Sequence, residues 1–180
     1  MKGVVFNIVQ EVVEQHLGPD VWDSAIEHSG VDGAFTSLGN YPDADLDGLV
    51  GALGRLAQMP RDDVLVFAGR HGFERLAERH PELLSPHATW RDVIAHLDDI
   101  IHPEVAKIYP GVEPPMFAVV DDPDIPAALR VTYTSRRQLC ALAEGLVRGL
   151  GDWYRVELEV RHLCCVRQGD ACCELVVVPE

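Results

Sequence analysis

At 180 residues the chain is long enough for one sizeable hydrophobic core and short for two. Acidic residues outnumber basic ones 29 to 15, and the formal charge of −14 repels phosphate backbones and anionic lipid, which argues against nucleic-acid and membrane partners. Hydrophobic residues at 47% and charged residues at 24% give an ordinary globular balance, with no apolar run of membrane-spanning length. Glu11, Glu14 and the lack of a small-residue cleavage site argue against a signal peptide, so the expected compartment is the cytoplasm.

Taken in order, Val4, Val5, Ile8, Val9, Val12 and Val13 form a helical stripe that Gly18-Pro19 ends. A second helix opens at Pro19-Asp20 and closes at Gly30. Residues 33–42 read as a loop, and 43–57 as a helix weakened by Gly48, Gly51 and Gly54. Residues 62–79 read as a helix with a bend where Gly69 and Gly72 fall. Trp90, Val93, Ile94, Leu97, Ile100 and Ile101 predict one amphipathic helix over 90–101. Beyond it, Pro110, Pro114 and Pro115 forbid a long helix. Strands follow near 116–120 and 129–134, then a helix over 136–150 ended by Gly149 and Gly151, then a hairpin over 154–166 and 172–178. Helices first and antiparallel strands last mean an α+β fold.

Two stretches carry chemistry. His102 follows the apolar helix but lies off its stripe, and Pro103 biases it away from αR geometry. It reads either as a helix-end histidine favoured by the dipole or as a metal ligand. Tyr133, Ser135 and Arg137, at alternate positions of a strand, would share one face. Two hydroxyls and a guanidinium fork match a carboxylate or phosphate, although a polar edge-strand face has the same pattern. A soft ligand and an anion clamp together suit a cofactor with a metal centre and acidic arms, a description haem fits. The five cysteines are odd in number, and Cys164, Cys165, Cys172 and Cys173 crowd one short segment, which suits metal binding or redox chemistry better than a disulfide framework.

Together, His102, Tyr109-Pro110-Gly111, Pro114-Pro115 and Tyr133-x-Ser135-x-Arg137 resemble the H-NOX family of haem-binding gas sensors, related to the sensory domain of soluble guanylate cyclase. The opening Met-Lys-Gly-Val-Val-Phe-Asn is similar to that family's N-terminus, and the length fits a stand-alone bacterial member. The resemblance implies haem b between a helical lobe, about 1–60, and an αβ lobe with a four-stranded antiparallel sheet, about 61–180. It implies His102 as the axial ligand of the iron, Tyr133, Ser135 and Arg137 as propionate ligands, and Pro115 pressing on the porphyrin. It places Val5, Val9, Phe73, Leu142 and Leu146 around the gas. Oxygen-binding members carry a tyrosine where this chain has Leu142. Bound O2 needs a hydrogen-bond donor, whereas NO and CO need far less, so the apolar set favours NO, allows CO and disfavours stable O2.

Cys140, His162, Cys165 and Cys173 match the zinc site of a subset of these sensors, and three thiolates with one imidazole suit tetrahedral Zn2+. On a regular strand His162 and Cys165 point to opposite faces, so a bulge or an early strand end is required, or else Cys164 is the ligand. The functional expectation is a non-enzymatic sensor in which NO on ferrous haem weakens or breaks the His102–iron bond. The resulting shift would regulate a separate histidine kinase or cyclic-di-GMP enzyme. The competing expectation is a thiol redox sensor acting through Cys140, Cys165 and Cys173.

Overall fold

The computed structural model describes residues 1–180. Helix α1 (Gly3–His16) lies between two apolar clusters, which explains why its buried surface is wider than a single stripe. Phe6, Val9 and Val13 enter a cluster with residues of α2 (Pro19–Ser29), α3 (Asp43–Ala57) and α4 (Arg61–Arg79), while Val4, Ile8 and Val12 pack around Tyr109. Phe6, absent from the predicted stripe, is fully buried and stacks on Phe35 with ring centroids 4.2 Å apart. Burying side chains such as Leu49, Leu53 and Leu65 contributes about 1.5–3 kcal/mol each before entropy is counted.

Helix α4 runs through Gly69 and Gly72 as one continuous element. These glycines serve packing. A Cβ on Gly69 would lie 2.5 Å from the Leu142 carbonyl oxygen, and Cβ atoms on Gly145 and Gly149 would each lie 2.3 Å from the carbonyl oxygens of Val66 and Arg70. The backbones of α4 and α8 (Cys140–Tyr154) therefore touch along a glycine seam. Helix α8 also runs on past Gly149 and Gly151 to Tyr154, stopping where Arg155 turns left-handed.

After the short α5 (Pro81–Leu84), residues 90–108 correct the expectation of one helix over 90–101. Thr89 and Asp92 form a capping box that starts α6 (Trp90–Ala95). A π turn follows over Leu97–Ile101, and then α7 (His102–Ile108). His102 is αR (φ −63°, ψ −39°), contrary to the expected effect of Pro103. A proline ring collides with the carbonyl four residues earlier in a regular helix, and the widened turn, with the Ile101 N–H donating to His96 O at 3.0 Å, relieves that collision.

Strands β1 (Met116–Asp121), β2 (Leu129–Thr134), β3 (Leu158–Cys164) and β4 (Cys173–Pro179) form one antiparallel sheet in the order β1-β2-β4-β3. Its inner face, including Leu129, Val131, Leu158, Val160, Leu175 and Val177, packs with Trp90, Val93, Ile94 and Leu150. The fold is α+β, as expected from the sequence.

Candidate functional site

His102 opens α7 half-buried, with its ring 5.6 Å from that of Phe117, which in turn lies 5.4 Å from Tyr133. Its Nδ1 is 3.0 Å from Asp98 Oδ1, and the other Asp98 oxygen accepts the Phe117 N–H at 2.7 Å. Burial lowers the His102 pKa below its ordinary value, outweighing the opposing pull of Asp98, so the ring is neutral at pH 7. In that state Nδ1–H donates to the carboxylate and the lone pair sits on Nε2, which has no protein partner. This is how a metal-ligating imidazole is oriented by a carboxylate. Asp98 was not singled out from the sequence, although an acidic residue four positions before His102 was a legible signal.

Tyr133, Ser135 and Arg137 do not share a strand face. Only Tyr133 lies on β2, paired with Cys173, and the ladder stops at Thr134. Ser135 and Arg137 occupy the turn into α8, where Gln138 takes a positive φ of 51°. The turn is self-supporting, since the Arg137 N–H donates to Ser135 Oγ at 3.2 Å. Arg137 Nε donates to both carboxylate oxygens of Asp43 at 3.0 Å, and its Nη1 donates to Glu113 O at 2.8 Å. Nη2, which has no protein partner, remains available to donate to an acidic group. Tyr133 is buried, which keeps its phenol above the ordinary pKa and able to donate. The set fits a haem carboxylate through one guanidinium nitrogen and two hydroxyls, with Arg137 already anchored to α3.

The residues expected around the gas fall in separate clusters. Val9 lies in the helical core with Leu142 against it, Val5 packs around the Tyr109 cluster, and Phe73 packs against the sheet cluster. Val5, Phe73, Pro115, Leu142 and Leu146 are all half-buried, and none offers a side-chain hydrogen-bond donor. Leu142 and Leu146 are set by the glycine seam, because their backbone atoms face Gly69.

Cys140 at the start of α8, Cys165 just beyond β3 and Cys173 at the start of β4 converge, buried, with their sulfurs all within 4.8 Å of one another. Cys165 Sγ is 3.4 Å from Cys140 Sγ and 3.8 Å from Cys173 Sγ. The required bulge is present: the β3–β4 register shifts between His162 and Cys164, and the strand ends there. It brings Cys165, rather than Cys164, inward. His162 lies beside the Cys165 thiol, while its Nε2 is 2.9 Å from Glu144 Oε2.

Burial, reinforced by the neighbouring thiols, pushes Cys140 up to about 12. Burial opposes ionisation of Cys165 too, but the Arg167 N–H and the adjacent S–H and imidazole donors hold it below its ordinary value. Cys165 is therefore the readiest of the three thiols to ionise, and a divalent cation would draw off the thiol protons. Glu144, one turn after Cys140 on α8, was not singled out from the sequence. A groove of about 670 Å³ over α4 and α8 opens onto Cys140, Cys165 and His162. Its cations are paired, Arg70 with Asp152, Arg148 with Glu144 and Arg167 with Asp62, so it belongs to the cysteine cluster rather than to an anion.

A family model described as haem-NO-binding matches residues 2–162. The chain is similar to an H-NOX protein from S. oneidensis solved in the Fe(II)NO ligation state, with 28% identity, a TM-score of 0.92 and coverage of 100% of this chain and 99% of that one. An H-NOX domain from Shewanella oneidensis in the Fe(II)CO ligation state matches with 27% identity and TM-score 0.89, again covering 100% and 99%. The Fe(II) unliganded H-NOX protein from K. algicida matches with 25% identity and TM-score 0.88, covering 100% and 97%. No curated protein matches the chain.

Proposed function

The chain belongs to the haem-NO-binding family, and on that premise we propose that it is a haem-based nitric oxide sensor with no catalytic activity of its own. The observation that carries this reading is His102, half-buried and neutral, its Nδ1 held by Asp98 and its Nε2 without a protein partner. His102, through Nε2, would hold the iron of haem b, which when bound would supply the metal that takes the gas. Tyr133, Ser135 and Arg137 hold the propionates, with Arg137 fixed by Asp43 and Glu113. Val5, Val9, Phe73, Pro115, Leu142 and Leu146 form the apolar surround. Lacking a donor, they favour NO, accept CO and give O2 nothing to stabilise its charge; the relatives solved with NO and with CO support the binding of those two gases.

Asp98 ties His102 to the backbone of Phe117, so movement of the imidazole is passed to β1. Arg137 ties the turn before α8 to Asp43 of α3. These two connections let a change at His102 shift the helical lobe, about residues 1–60, against the rest. The regulated enzyme is a separate histidine kinase or cyclic-di-GMP enzyme, and the formal charge of −14 suits a basic docking surface on it. Cys140, Cys165, Cys173 and His162 hold a structural Zn2+. The buried triad of sulfurs supports this assignment, with His162 exchanging its Glu144 contact for the metal. No helix is long and apolar enough to cross a membrane, and five free thiols suit the reducing cytoplasm. Titrating the purified chain with haem tests the reading. It expects one haem per chain and a Soret band lost in His102→Ala but kept in His87→Ala; equal uptake by both variants would overturn the ligand assignment.

A further inference from the structure

We propose that Cys164 and Cys172 form a second thiol site, a reversible dithiol–disulfide pair on the outer face of the β3–β4 hairpin. Adjacent residues on extended backbone point to opposite faces. In each of the pairs 164/165 and 172/173, at the ends of β3 and β4, one cysteine is buried and the other is turned outward. Cys165 and Cys173 are 4% and 1% exposed, whereas Cys172 is exposed and Cys164 half-buried. The outer sulfurs lie 3.3 Å apart, so closing them to a bond of about 2.05 Å needs little movement.

The chain reverses between them at Gly169, whose φ of 96° is the left-handed geometry glycine allows. The base of that turn is held independently by the Asp170 carboxylate, which accepts the Cys165 N–H at 2.8 Å. The site stands whether or not the inner triad holds zinc.

The oxidant is a hydroperoxide. The sulfur of Cys172, the more exposed of the two, attacks the O–O bond; an S–O bond forms, the O–O bond breaks, and the departing hydroxide takes up the thiol proton as water. The Cys164 sulfur then attacks the sulfenic sulfur. The S–S bond forms, the S–O bond breaks, and the second hydroxide leaves with the Cys164 proton as water. Two thiols and one hydrogen peroxide thus give one disulfide and two waters. A dithiol reverses the change by exchange.

The full chain, given one equivalent of hydrogen peroxide, alkylated and mapped by mass spectrometry with fragment localisation, tests the proposal. The expected result is a dithiothreitol-reversible Cys164–Cys172 cross-link, with Cys140, Cys165 and Cys173 alkylated only after denaturation. In Cys164→Ser, Cys172 stops as a sulfenic acid that dimedone captures. A cross-link drawn first from Cys140, Cys165 or Cys173, or no cross-link with Cys172 carried on to the sulfinic acid, would overturn it.

Discussion

Gly145→Ala tests the glycine seam between α4 and α8 on which the positions of Cys140, Leu142 and Leu146 depend. The new Cβ would lie 2.3 Å from Val66 O and 2.9 Å from Val66 C and Cα, all backbone atoms that cannot rotate aside. Helix α4 must withdraw by roughly 1 Å to restore ordinary contact, which also loosens the close approaches at Gly69 and Gly149. Such overpacking costs about 1–3 kcal/mol, against a gain of about 0.5–1 kcal/mol for replacing a helical glycine. The net loss, centred on about 1 kcal/mol and reaching about 2.5 kcal/mol, lowers Tm by about 2–4 °C at the centre and up to about 10 °C in a domain of this size. Gly51→Ala on α3 is the control, because its Cβ would meet only the end of the Arg55 side chain at 3.6 Å. There the propensity gain stands alone, and Tm rises by about 1–4 °C. Thermal unfolding of both variants, followed by circular dichroism, gives the contrast in sign. Equal shifts in the two variants would refute the seam.

The remaining predictions concern the site. Asp98→Asn weakens haem binding by about 10–100-fold without lowering Tm comparably, as measured by haem transfer to a competing acceptor. Acid sensitivity follows from the lowered pKa of His102. The unfolded chain takes up the proton below about pH 6.5 and the folded one only at lower pH, so the stability contribution is present above 6.5 and lost as pH falls. Haem affinity needs the neutral imidazole of the folded chain, so in a titration from pH 8 to 4 it is expected to be flat down to 6.5 and to decline only at lower pH. Cys173→Ser and Cys140→Ser each reduce bound zinc from about one equivalent to near none in metal analysis, whereas Cys164→Ser retains it.

Much of this architecture is legible in local patterns. The alternation over 129–134 gives β2 to the residue, and the turn residues around Gly30 and Gln168-Gly169-Asp170 mark real chain reversals. The geometric conflict between His162 and Cys165 required a bulge, and one is present. What escapes is what depends on distant partners. Gly69 and Gly72 read as weak points of a helix until α8 is brought against Gly69 and the Ile8 side chain of α1 against Gly72, and no periodicity encodes those meetings. Tyr133, Ser135 and Arg137 resemble a strand face because strand termination depends on how far β4 reaches, not on these residues alone. At His102, the local bias of Pro103 is overridden by a π turn upstream, and the same turn brings Asp98 to the imidazole.

The central claim is tested most directly by adding NO to the reduced, haem-loaded chain and following both the absorption spectrum and the paramagnetic resonance signal. The account predicts a shifted Soret band and, at saturating NO, loss of hyperfine coupling to the His102 nitrogen, with CO binding and no stable O2 complex. A Soret band that NO leaves unchanged would contradict it.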